Sequence, residues 1–237
     1  MRQLLLLLSA SVTIVVIAIT ACGGGSDDGR AYVEPLYPIR EGNYWEYDMV
    51  RLQTILYSID TFTITYYGTA KDTITQKTML INSQEVYEKV STEIWDDTLA
   101  TPNRCDTTYV AQIGSDDEYF YLAYENLNDT IGDTLFRQEF DDPAVGFSWI
   151  IRAEPGDTIT ATYLDKLSTT VPCFPNPVLA DLYRFVYTSP VQTRYSYFRS
   201  NYGLVKDSLV TETPNIERNS YVKELVESYV HSELLWF

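Results

Sequence analysis

In "YWEYDM" (residues 44–49) apolar and acidic side chains alternate, so an extended chain puts Trp45, Tyr47 and Met49 on one face and Glu46 and Asp48 on the other. A helix would scatter these residues around its circumference; a half-buried strand separates them. The pattern recurs along the chain. "TFTITYY" (61–67) sets Phe62, Ile64 and Tyr66 against Thr61, Thr63 and Thr65, and "TITATY" (158–163) sets Ile159, Ala161 and Tyr163 against threonines. "EVYEKVSTEIW" (85–95) divides into Val86, Val90 and Ile94 on one side and Tyr87, Lys89 and Glu93 on the other. "DLYRFVYT" (181–188) aligns Tyr183, Phe185 and Tyr187 in one row.

Turn clusters separate these runs, at "NSQ" (82–84), "GSDDE" (114–118), "NLND" (126–129) and "EPGD" (154–157). Strands joined by short turns build antiparallel meanders. Twenty tyrosines fit a strand composition. No long helical stripe interrupts it; the final segment "YVKELVESYVHSELLWF" (221–237) reads as a helix or as a last strand. The expectation is an all-β chain with one antiparallel domain over residues 36–237. Its form would be barrel-like or half-barrel, as in lipocalin-like or Lol-type carriers.

The corner "PIREGNYWEY" (38–47) has an echo in "PAVGFSWII" (143–151). Each runs from a proline through Gly-x-x-Trp into a strand, with Gly42/Trp45 and Gly146/Trp149 in matching places. The glycine supplies a positive-φ corner and the tryptophan plugs the core behind it. Two copies imply either two sheets in one body or an internal duplication.

Ahead of the domain, residues 1–21 form a basic start, an apolar centre and a small-residue exit, as in a secretory signal peptide. A membrane span wants about 20 apolar residues; this run is shorter and carries Ser9, Ser11 and Thr13. Ile19-Thr20-Ala21-Cys22 resembles the lipobox of bacterial lipoproteins, which implies cleavage before Cys22 and acylation of that cysteine. Residues 22–35, with their three glycines, then read as a flexible lipidated tether. Ser26-Asp27-Asp28 is similar to the acidic export tag of surface lipoproteins. The implied location is the outer membrane, lipid-anchored, with the surface-exposed face as an option.

"YPIREGNYWEY" near the mature start and "YFRSNYGLVKDSL" (197–209) near the end resemble a broad group of bacterial surface and outer-membrane lipoproteins. The shared features are Pro38, Gly42, Asn43 and Trp45, then Gly203, Leu204, Val205 and Lys206. The resemblance brings no catalytic residue with it, and the pair Cys105/Cys173 stands outside it.

Charge and residue content exclude several chemistries. Without the leader and its single Arg2, 16 basic residues face 33 acidic ones, a net charge of −17 that repels nucleic acid. His231 is the sole histidine, which leaves no Ser-His-Asp or Cys-His machinery away from the C-terminus and no ordinary zinc or copper site. No cofactor or metal is expected, although carboxylates crowd "SDDE" and "NLNDTIGD" as a calcium loop would. Paired carboxylates are the remaining catalytic option, as in glycoside hydrolysis. The adjacent pairs Asp96/Asp97, Asp116/Asp117 and Asp141/Asp142 sit in turns, and neighbours on a strand face opposite ways. Cys105 and Cys173 are the even pair left for a disulfide in an oxidising envelope, worth about 4 kcal/mol on the loop-entropy model.

The reading is a non-enzymatic binding module for an apolar ligand or an envelope partner. Tyr183, Phe185 and Tyr187, joined by Tyr195 and Tyr197, are the candidate ligand residues. A scaffolding role and a carboxylate-pair glycoside hydrolase are the alternatives.

Overall fold

The computed structural model describes residues 35–56, 61–97, 102–114, 118–139, 144–154, 157–171, 178–200, 202–213 and 217–230. All regular structure among them is strand. The first six strands are β1 (Tyr44–Leu56), β2 (Thr61–Met79), β3 (Glu85–Trp95), β4 (Arg104–Gly114), β5 (Glu118–Tyr124) and β6 (Asp133–Glu139). The second six are β7 (Ser148–Glu154), β8 (Asp157–Val171), β9 (Val178–Thr188), β10 (Gln192–Arg199), β11 (Gly203–Thr213) and β12 (Glu217–Tyr229). The C-terminal segment that sequence left between helix and strand is therefore strand as far as Tyr229.

The twelve strands form one antiparallel sheet in the order β6-β5-β4-β3-β2-β1-β12-β11-β10-β9-β8-β7. Each half is a meander, and the pairing of β1 with β12 splices them. The sheet curls into a nearly closed barrel whose two edges, β6 and β7, meet without a backbone ladder. Side chains bridge that seam: Trp149 Nε1 donates to Thr134 O at 3.1 Å, and Arg152 reaches Asp133 at 2.6 Å and Glu125 at 3.1 Å.

The two Gly-x-x-Trp corners are built alike. Gly42 N–H donates to Ile74 O at 2.8 Å while Ile74 N–H returns to Asn43 O at 2.9 Å. Gly146 N–H donates to Tyr163 O at 2.9 Å while Tyr163 N–H returns to Phe147 O at 2.9 Å. Both glycines hold positive φ, +88° and +84°. Immediately after each corner the second strand carries a bulge against the third, between Ile74 and Gln76 in β2 and between Tyr163 and Asp165 in β8. Equivalent corners, ladders and bulges mark two six-stranded halves with a common plan.

Inside, the segment before β1 enters the base of the barrel. Pro35 to Pro38 are buried, and Tyr37 stacks on Trp45 with ring centres 4.5 Å apart. Tyr37 also donates its backbone N–H to the Tyr121 hydroxyl at 3.1 Å. Phe185 lies among Trp149, Tyr163 and Phe198 at centroid distances of 5.5–6.0 Å. A smaller cluster of Leu80, Val86, Ala111 and Tyr124 packs separately.

Gly203 opens β11 at φ +88°, where an added Cβ would stand 2.9 Å from Trp45 Nε1 and 3.0 Å from Tyr37 Cδ2. At Gly42 an added Cβ meets nothing within 4 Å. Alanine at either site bears the left-handed strain of about 1–2 kcal/mol. Gly203→Ala adds overpacking of about 1–3 kcal/mol. Urea denaturation should rank Gly203→Ala as the more destabilised of the two; equal losses would show that the contact with Trp45 and Tyr37 is slack.

Candidate functional site

Above the aromatic base the inward positions of β1, β2, β3, β10, β11 and β12 turn charged. Lys223 occupies the inward place between Tyr221 and Leu225, and it pairs across the ladder with Asp207. Asp72 lies beside β1 opposite Trp45 and beside β3 opposite Ser91. Its Oδ2 receives Lys89 Nζ at 3.2 Å and Lys223 Nζ at 3.4 Å. Lys223 also sits 4.0 Å over the Tyr47 ring. Asp207 Oδ1 accepts from Arg194 Nε at 2.8 Å and from Ser196 Oγ at 2.7 Å. Asp72, Asp207 and Lys223 are all buried.

Burial of these charges is tolerable because each meets an opposite charge and a further polar group. Desolvation alone would raise the Asp72 carboxyl; Lys89, Lys223 and the Ser91 hydroxyl overcome it and hold Asp72 at about 2. Lys223 is shifted downward by its burial, which Asp72 opposes. Asp207 is the main cause of an upward shift at Arg194. Burial pushes the hydroxyls of Tyr37, Tyr47, Tyr187 and Tyr221 upward. The acid of a glycoside-hydrolysing pair needs a raised carboxyl; Asp72 is shifted the other way.

Towards the far end of the strands the inner face opens. Tyr221 donates its hydroxyl to Glu93 Oε1 at 3.3 Å, Tyr66 donates to Gln53 Oε1 at 3.1 Å, and Gln53 Nε2 donates to Glu217 Oε1 at 2.6 Å. Asn219 ties Arg51 to Glu217 at 3.2 and 2.8 Å. The Arg194 side chain lies on this inner face, yet it is 45% exposed.

The residues singled out from sequence separate into two groups. Tyr183, Phe185 and Tyr187 share the inner face of β9. Phe185 is fully buried and fills the core, while Tyr187 lies under Arg194, 5.8 Å from ring centre to guanidinium carbon. Tyr183 is half-buried, with Lys166 Nζ 5.2 Å from its ring centre. It borders an open hollow of about 600 Å³ together with Arg199 and Tyr202. Tyr195 and Tyr197 alternate with the inward Arg194, Ser196 and Phe198, so they lie on the other face; Tyr195 is exposed.

Cys105 is an exposed free cysteine on β4, and its expected partner Cys173 lies outside the described residues, as do Cys22, His231, Asp116/Asp117 and Asp141/Asp142. Asp96 and Asp97 are exposed. Within "NLNDTIGD", Asp129 accepts the backbone N–H groups of Glu125 and Asn126, both at 3.0 Å, which makes it a turn residue. Among the described residues no group of histidine, cysteine and carboxylate side chains is arranged to hold a metal.

Sequence reasoning gave no site role to Asp72, Arg194, Asp207 or Lys223. The signal was present in "SYVKELV" and "LVKDSLV", where a charge occupies the apolar phase of an alternating strand.

Two solved structures are similar in part. A provisionally described lipoprotein from Parabacteroides distasonis aligns over 84% of this chain and 100% of its own, at 12% identity and a TM-score of 0.35. A provisionally described exported protein with a YmcC-like fold from Bacteroides fragilis aligns over 83% and 100%, at 10% identity and a TM-score of 0.30. No protein-family model and no curated protein matches the chain.

Asp72 gives the charged layer a pH signature. Its folded pKa of about 2 lies below the ordinary 3.8, so its stabilisation is complete above about pH 4 and is lost as pH falls through 2. Asp72→Asn strands two lysines and should cost about 3–5 kcal/mol at pH 7. The stability gap between wild type and Asp72→Asn should narrow between pH 4 and 2.5 in urea titrations. A constant gap would mean that the ion pairs do not hold the carboxylate.

Proposed function

We propose that this chain is an envelope lipoprotein, anchored to the outer membrane through Cys22, that acts as a non-enzymatic binding module. Its ligand site is the open end of the curled sheet. The observation that carries this reading is Arg194, whose guanidinium lies on the inner face, is positioned by Asp207 and stays 45% exposed. A positioned, half-hydrated charge on the inner face is open to the polar end of a ligand. Phe62, Ile64 and Tyr66 lead inward from the rim on β2, and Phe62 is 57% exposed despite its inward phase. That column suits the apolar body of a ligand, and Arg194 suits its polar end.

The base supports only the opposite role. Phe185 is packed on all sides, so Phe185→Ala should cost about 3–5 kcal/mol and report on folding alone. Binding is tested at the rim instead. Anilinonaphthalene sulfonate should show saturable fluorescence with wild type, lose it with Phe62→Asp and keep it with Tyr195→Asp on the outer face. A wild type that takes up no probe would favour scaffolding.

The anchor has its own test. Cys22→Ser should abolish incorporation of labelled fatty acid and release the protein from membranes; unchanged labelling and retention would exclude lipidation at that residue.

A further inference from the structure

Three buried polar atoms in the charged layer have no hydrogen-bond partner among the described residues: Tyr37 Oη, Tyr47 Oη and Asp72 Oδ1. Their residues are 7%, 1% and 3% exposed. They are grouped around one pair of lysines. Lys223 Nζ lies 4.0 Å over the Tyr47 ring and 3.4 Å from Asp72 Oδ2, while Lys89 Nζ lies 3.2 Å from Asp72 Oδ2 and 5.7 Å over the Tyr37 ring. The charge on Asp72 also acts on both tyrosine hydroxyls, raising each against ionisation.

Native proteins rarely leave such groups unsatisfied, and a cluster of three around one carboxylate calls for an occupant. Its chemistry is constrained. A cation would meet the ammonium groups of Lys89 and Lys223. An anion would meet Asp72, with Asp207 acting on Tyr47 from the β11 side. Asp72 Oδ1 can only accept, so the occupant must donate to it; the two phenols can donate in turn and need an acceptor. A compact neutral group that both donates and accepts satisfies all three.

We propose that Tyr37, Tyr47 and Asp72 together bind a neutral hydroxyl group. Two sources share that chemistry, an ordered water and the hydroxyl of a small polyol. The site stands apart from the binding role given to the mouth: probe uptake at Phe62 reads one, and Tyr37 and Tyr47 read the other.

The test turns on a sign. Tyr47→Phe and Tyr37→Phe each remove a single hydroxyl with almost no change in shape. With an occupant in place, each variant should lower Tm by about 2–4 °C, the shift for a typical lost hydrogen bond in a domain of this size. If the hydroxyls are truly unpartnered, removing them relieves a buried polar group, and Tm should rise or hold still; either result overturns the proposal. Glycerol and glucose then identify the source. A saturable rise in Tm with wild type that exceeds the rise with Tyr47→Phe assigns a polyol. Equal rises in both proteins reflect solvent exclusion alone and assign water, provided the phenylalanine variants are destabilised.

Discussion

The antiparallel ladder between β1 and β12 is the contact on which the rest of the molecule depends, because it joins strands from opposite ends of the sequence. Tyr44 pairs with Tyr229 and Ile55 with Glu217, so the pairing runs along nearly all of β1, with one bulge between Glu46 and Tyr47. Every other ladder links strands that are consecutive in the chain and can form by local folding. This one must wait for both meanders. Its register brings Met49 opposite Lys223, and the β11–β12 ladder brings Lys223 opposite Asp207. The ion pair of Lys223 with Asp72 on β2 spans β1 between them, so it exists only when the splice is made. The link between the two parts of the charged layer is thus a product of the longest-range pairing in the fold.

The two halves also show what a missing ladder looks like. β1 and β7 stand at equivalent corners, yet β1 is paired on both sides and β7 on one. At the β6–β7 seam, an indole and a guanidinium reach across where a backbone ladder would otherwise run. Covering an edge with charge and side-chain bridges is a known alternative to closing it. The curvature of the sheet therefore stops short of full closure at one defined place.

Much of the fold was legible because strand alternation is a direct record of a two-sided surface. "YWEYDM" and "DLYRFVYT" assigned their inner faces correctly, and the paired corners at Gly42 and Gly146 exposed the repeat. The candidate site was less legible for a physical reason. In β3 the side carrying Tyr87, Lys89 and Glu93 faces the interior, while Ile94 on the opposite side is exposed. Alternation says that two faces differ, not which one is inside. A charge in the apolar phase is ambiguous until its partner is known, and Asp72 lies more than a hundred residues from Lys223. The tyrosine rows had the complementary problem: Tyr183–Tyr187 and Tyr195–Tyr197 look alike in composition, but the turn between β9 and β10 places them on opposite faces.

The buried segment ahead of β1 gives the barrel a mechanical grain. Chain on the N-terminal side of Pro35 joins the body through Leu36 and Tyr37, which are wedged in the base beside Trp45. Tension on that chain reaches the stacked rings before it reaches β1. Because β1 is laddered to β2 and β12 over most of its length, a load directed along it is shared by many hydrogen bonds at once, in shear, instead of opening them one at a time. A body loaded along β1 resists with two full ladders, whereas a pull applied across the β6–β7 seam would meet only side chains.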